Sequence, residues 1–174
     1  MRDEPDAVRQ SLGEAVALLV QKVRHDLVPD SGIQFAYARV RGRDISDVAT
    51  VTGGLVLSSG SFNPCSIEFG NGGVIATTVL TAMKFDRQVR SAAIIRCTPA
   101  LVRRMETRFM EVCSFDPTCE PPGVTTMDWG VAQCCREGVP DAIYTTPPDN
   151  PGAVVRLFGL DPGEVANNII MLSG

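Results

Sequence analysis

The 174-residue chain carries 16 basic and 20 acidic side chains, a formal charge of −4, 44% hydrophobic residues and a mean hydropathy of +0.09. That composition supplies a sizeable core for one domain over residues 1–174, and it lacks the basic footprint of nucleic-acid binders, so direct nucleic-acid binding is not expected. No stretch reaches the roughly 18 uncharged apolar residues that span a bilayer. The opening MRDEPDAVRQ is charged where a secretion signal is apolar, which predicts a cytoplasmic protein without a membrane partner.

Val8, Leu12, Ala15, Val16, Leu19, Val20 and Val23 recur at helical spacing, which predicts one amphipathic helix over Ala7–His25, stopped near Pro29. His25 stands at its C-terminal end, where the helix dipole favours a cation. One helix before Pro29 leaves no room for a helix-turn-helix reader. Residues 30–172 form the core. There IQFAYARV alternates as a strand, RGRDISD is a loop, and VATVTGGLVL is β-branched and broken by a glycine pair. Ser58–Gly73 reads as loop, followed by a helix in VIATTVLTAMKF. RSAAIIRC is a buried strand, and a helix in TPALVRRMETRFM is capped by Thr98 with Pro99 in its first turn. EVCSF is a strand, and a helix follows over Met127–Arg136. AIYTT and AVVRLFG are strands around the turn PPDNPG, and a last helix opens at Asp161-Pro162. This order predicts a three-layer α/β/α sandwich with one mixed sheet.

The six cysteines contain no C-x-x-C pair and the single histidine lies far from them, which argues against a structural zinc site. Adjacent Cys134 and Cys135 cannot both face one partner on a helix, so reduced thiols acting as small hydrophobes are expected, with a Cys113–Cys119 bridge as the alternative.

Glycine-rich loops that feed helix N-termini suit phosphate, because free backbone N–H groups and the helix dipole both favour an anion. Gly70, Asn71, Gly72 and Gly73 before Val74 form such a loop, although the loop matches neither the G-K-[ST] nor the G-x-G-x-x-G fingerprint and also reads as a plain helix start. Arg96 and Arg156 sit in apolar strands, where each must either pair with a carboxylate or meet an anionic ligand at a strand end. Arg43, Asp44 and Asp47 cluster in an inter-strand loop, a place for a site or for a solvated turn. No catalytic constellation is self-evident, and no serine has a G-x-S-x-G setting.

A-M-K-F-D-R-Q-V-R-S-A-A-I-I-R at Ala82–Arg96 resembles the ThiN family of archaeal thiamine-phosphate synthases, whose segment reads A-M-x-F-D-x-x-x-R-A-A-x-N-I-R. Further matches fall in register: G-R-D-I-S-D-V-A from Gly42, S-F-D…E-P from Ser114 to Pro121, W-G-V from Trp129, V-P-D-A-I-Y from Val139 and R-L-F-G-L-D-P-G-E-V from Arg156. The resemblance implies an aldolase-II-like fold, a homodimer, and binding of thiamine phosphate or its phosphorylated precursors. Synthase members join hydroxymethylpyrimidine diphosphate to thiazole phosphate, and relatives fused to DNA-binding modules sense the ligand. The ligand positions it implies here, with the glycine loop, are Arg43, Asp47, Gly70, Asn71, Gly72, Gly73, Arg90, Arg96 and Asp116.

Departures from the family pattern bear on activity. The arginine of its G-R-I-V segment and the histidine after F-G fall here on Gly54 and about Val74; Ile94 replaces an asparagine, and Thr145–Ala153 lacks the loop's arginine and lysine. A reaction that expels pyrophosphate needs cations or a metal against the growing charge. The expectation is therefore a ligand-binding domain without catalytic residues or cofactor, acting as sensor or accessory. An active synthase, with Mg as its possible metal, is the alternative.

Overall fold

The computed structural model describes residues 4–108, 110–123 and 127–173. Helix α1 (Glu4–Lys22) leads into β1 (Gln34–Ala38), β2 (Val48–Val51), the small hairpin β3 (Leu57–Ser58) and β4 (Ser61–Phe62), and β5 (Ile67–Phe69). After α2 (Val74–Phe85) come β6 (Ser91–Arg96), α3 (Pro99–Thr107), β7 (Val112–Phe115), α4 (Trp129–Cys134), β8 (Ala142–Thr145), β9 (Val154–Gly159) and α5 (Pro162–Ser173). The main sheet runs β5-β2-β1-β6-β9-β8-β7. Its neighbours pair antiparallel except β7 and β8, which are parallel, so the sheet is mixed.

Strand side chains alternate between faces, and each face here has its own core. Phe35, Tyr37, Ala93, Ile95, Val155 and Leu157 pack with α1, α3 and α5. Ala36, Ala38, Ala92, Ile94 and Phe158 pack with α2 and α4. Helices therefore cover both faces, giving the three layers that the element order predicts. Thr98 caps α3 by accepting from the Leu101 amide at 3.1 Å, with Pro99 in the first turn. Among the described residues no helix is long and apolar enough to cross a membrane.

Three local expectations need revision. Ser58–Gly73 is not loop alone: Ile67 and Phe69 lean on the α1 core while Glu68 is exposed, making β5 an edge strand against β2. Three residues are too few for the period of two to stand out in sequence. The first helix ends at Lys22, and His25 opens a separate 3₁₀ turn (His25–Leu27), its ring edge-on to Phe62 at 5.9 Å. Cys113 and Cys134 are not the reduced thiols expected: they are bridged, and to each other rather than through Cys119, because α4 lies on β7 and brings the two Cα atoms to 5.9 Å. Cys119 is left exposed in a 3₁₀ turn beyond the end of β7. Cys97 and Cys135 are the small buried hydrophobes expected, and burial pushes both thiols up to about 11; the Asp128 carboxylate adds to the effect at Cys135.

Candidate functional site

The sheet carries one arginine at its heart. Arg156 lies on β9 between Val154 and Phe158, on the face covered by α2 and α4, and its side chain is 11% exposed. A charge in that position needs a partner, and Asp128, 7% exposed, supplies it: the Arg156 Nε donates to Asp128 Oδ2 at 2.7 Å. Asp128 is held in turn. It accepts from the Thr78 hydroxyl at 2.6 Å, its amide donates to Thr81 Oγ1 at 2.8 Å, and Oδ1 caps α4 through the Val131 amide at 3.3 Å. The Arg156 guanidinium also stacks over the Phe115 ring, 5.4 Å from its centroid, and Phe115 meets Trp129 edge-on at 6.1 Å.

Arg156 forms part of the wall of a cavity of about 480 Å³, within the usual range for small-molecule sites. Gly73, Val74 and Thr77 close one side, Phe115 and Pro117 another, and Asp128, Thr145 and Val154 the floor beside Arg156. Two features suit this cavity to an anion. The Arg156 Nη1 is buried and has no hydrogen-bond partner among the described residues. The start of α2 is also open, since Gly73 at φ 105° provides no side chain to cap it and the Thr77 hydroxyl donates back to the Gly73 carbonyl at 3.3 Å. Uncapped N–H groups at a helix N-terminus favour negative charge. Phe115, Pro117, Met127 and Val154 add apolar and aromatic surface that suits a flat ring, beside the polar Glu120 and Thr145.

Gly130 ties this wall to the fold. A Cβ there would come within 2.2 Å of the Phe115 ring, so glycine is what lets α4 close on β7. Gly130→Ala should lower stability by about 1–3 kcal/mol through overpacking and displace Phe115 from the cavity. A thermal melt combined with the near-UV signal of Trp129 checks this; an unchanged melt and signal would show that Phe115 moves freely.

The residues proposed from sequence are dispersed. Gly73 lines this cavity, and the rest of its loop leads up to it: Gly70 turns at φ 79°, the Asn71 side-chain Nδ2 donates to Thr52 Oγ1 at 3.1 Å, and Gly72 sits near Ile45. Asp116 lies next to Pro117 and caps a 3₁₀ turn; the Thr118 hydroxyl and amide hold its carboxyl below the usual range. Arg90 donates to the Ala38 carbonyl at 3.0 Å, stacks on Tyr37 and faces Glu4 at 3.8 Å. Arg96 bonds the Val28 carbonyl at 3.1 Å and Asp30 at 2.8 Å. Six residues of extended chain place these two about 20 Å apart, too far to share one phosphate. Arg43 lines a different cavity, and Asp47 accepts from the Arg43 amide at 2.9 Å, a contact that holds its carboxyl below the usual range. Sequence reading missed Asp128 as partner; its one signal was an aspartate just before an apolar helical run, the pattern of an N-cap.

Three layers around a mixed sheet define an α/β/α domain of the class II aldolase type. The chain belongs to the ThiN family: the family model described as thiamine-phosphate synthase ThiN matches residues 11–171. It is 33% identical over 168 residues to the bifunctional thiamine biosynthesis protein ThiDN of Methanocaldococcus jannaschii, covering 94% of this chain and 40% of that protein. The chain thus spans well under half the length of that relative. Among solved structures, the C-terminal domain of protein MJ0236 superposes with a TM-score of 0.87 at 32% identity, covering 96% of this chain and 93% of that one. The C-terminal domain of a phosphomethylpyrimidine kinase gives 0.84 at 27% identity, covering 97% and 100%. A sugar-phosphate aldolase from Thermotoga maritima shares the fold alone, at 0.50 and 12% identity over 97% and 91% of the two chains.

Proposed function

We propose that this ThiN domain binds thiamine phosphate, or a phosphorylated thiamine precursor, in the cavity between the start of α2 and Arg156, and that it serves as a sensor or accessory domain rather than an efficient synthase. The observation that carries the reading is the buried Arg156 Nη1 without an acceptor on the wall of a ligand-sized cavity. Leaving such a donor unsatisfied costs about 1–3 kcal/mol, which a phosphoryl oxygen would recover. The phosphate sits against the α2 amides and Arg156, and the pyrimidine or thiazole ring against Phe115, Pro117 and Val154. The homodimer and the cytoplasmic setting belong to the same reading and rest on the family resemblance and the composition.

The case against efficient synthesis lies in two departures from the family pattern, one of them on the cavity wall. Val74, 59% exposed, stands at the first position of α2, where the family pattern has a histidine. Gly54 stands where that pattern has an arginine; its φ is 78°, and an added Cβ would lie 3.1 Å from the Gln34 side chain, so a side chain there is strained. Losing one electrostatic contact to a developing charge raises a barrier by about 3 kcal/mol. A magnesium ion fits the donor set poorly: Asp128 is committed to Arg156 and Thr78, leaving Glu120 as the uncommitted carboxylate on this cavity among the described residues.

The family match keeps active synthesis as the second reading. Calorimetric titration with thiamine phosphate, run beside an assay for its formation from the two precursor phosphates, separates the two. Binding without turnover is the expected result; turnover would restore the synthase, and absence of both would overturn the ligand assignment.

A further inference from the structure

A second cavity, of about 270 Å³, shares no lining residue with the first. Arg41 and Arg43, from the turn between β1 and β2, face Lys84 and Arg87, from the end of α2 and just beyond it, with Leu80 and Met83 between them. Four cations thus converge, and none has a carboxylate partner among the described residues, whereas nearby Arg39 and Arg90 both pair with Glu4.

The local carboxylates are turned elsewhere. Asp47 accepts from the Arg43 and Asp44 amides at 2.9 and 3.3 Å, Asp44 from the Ser46 amide at 2.9 Å, and Asp86 from the Gln88 amide at 3.0 Å. These bonds brace the backbone that presents the cations instead of neutralising them. Arg41 is held at φ 60°, in the left-handed region that a Cβ disfavours and where glycine or asparagine is usual. A third basic cavity makes a useful contrast: Arg103, Arg104 and Arg108 come from the single helix α3 and its end, and Arg104 already donates to the Leu172 carbonyl at 3.0 Å.

We propose that the Arg41–Arg43–Lys84–Arg87 cavity is a second anion site, taking the phosphate or diphosphate group of a small organic molecule. Its volume falls just below the range of sites that enclose a whole ligand, so it fits a charged head group with the organic part directed outward past Leu80. Guanidinium groups engage phosphoryl oxygens in bidentate fashion and Lys84 adds a point charge. Four positive charges match a diphosphate better than a monoester, whose charge at neutral pH is at most −2. The inference does not depend on what fills the cavity at the start of α2.

The test is calorimetric titration of inorganic pyrophosphate into the intact chain, into Arg43→Ala/Arg87→Ala, and into Arg103→Ala/Arg108→Ala as a charge-matched control. All four substituted side chains are exposed, so folding is expected to survive, and a melt of each variant confirms it. The proposal expects one equivalent bound through Arg43 and Arg87, beside any taken up at the start of α2, with a loss of at least about tenfold at that site in the first variant, as for a charged hydrogen bond removed, and less than twofold change in the control. Equal loss in both variants would reveal unspecific attraction and overturn it, as would unchanged affinity in the first variant or no binding to the unaltered chain. Binding of a single-stranded RNA in place of pyrophosphate would likewise overturn the small-ligand assignment. Adding saturating thiamine phosphate separates this site from the first: pyrophosphate affinity read through Arg43 and Arg87 should stay the same, whether or not thiamine phosphate binds.

Discussion

Asp128→Ala should cost about 3–5 kcal/mol of folding stability, because it leaves the Arg156 guanidinium buried without its counter-charge. The same change removes the acceptor of the Thr78 hydroxyl and the cap of α4. Urea denaturation measures the loss. Asp128→Ala/Arg156→Met should recover part of it, since an apolar side chain of similar length removes the orphaned charge, while the double variant should lose thiamine phosphate binding in the cavity at the start of α2. A loss below about 1 kcal/mol in Asp128→Ala would mean that Arg156 finds another partner or reaches water, and would remove the basis for a preorganised anion site.

The second large effect concerns the bridge between β7 and α4. Unfolded but unreduced protein should titrate four thiols of its six cysteines, and six after reduction. Reduction, or Cys113→Ala/Cys134→Ala, should lower stability by about 3 kcal/mol, the loop-closure entropy of a ring formed at a sequence separation of 21 residues. The bridge lies behind the Phe115 wall, one residue from Ser114 on β7 and at the end of the helix that Asp128 caps. Reduction should therefore also weaken ligand binding. Cytoplasmic proteins seldom keep such bridges outside hyperthermophiles, so six thiols before reduction would restore the reduced state expected from composition.

Much of the fold was legible because local signals agree with tertiary placement. Thr98 and Pro99 mark the start of α3, Asp161-Pro162 the start of α5, and β6 and β9 stand out as apolar runs of β-branched and small residues. The helix after Gly73 was legible for the same reason, since a glycine pair before an apolar run has few other uses. What escaped was the meeting of distant residues. Asp128 and Arg156 stand 28 positions apart in sequence and join only because α4 folds over β9's face. Cys134 reaches Cys113 for a related reason, through the packing of α4 on β7, where the sequence pointed to reduced thiols with a Cys113–Cys119 bridge as the alternative. Arg43, Arg90 and Arg96 were all candidates to hold a phosphate; the structure gives Arg90 and Arg96 carboxylate partners at opposite ends of one strand and leaves Arg43 in a separate basic cavity. Arg156 was visible as a charge in an apolar strand, yet whether it paired or waited for a ligand was undecidable without its surroundings. Its Nε pairs with Asp128, while Nη1 has no partner among the described residues.

The claim at the centre of this account is that a phosphoryl group docks between the α2 amides and Arg156. Titration of thiamine phosphate into isotope-labelled protein, followed through backbone amide resonances, tests it directly. The account predicts that the amides of Gly73, Val74, Ile75 and Ala76 shift together with the Arg156 side chain, at a common dissociation constant. Shifts confined to Arg41–Arg43 and Lys84–Arg87, with the start of α2 unmoved, would contradict it.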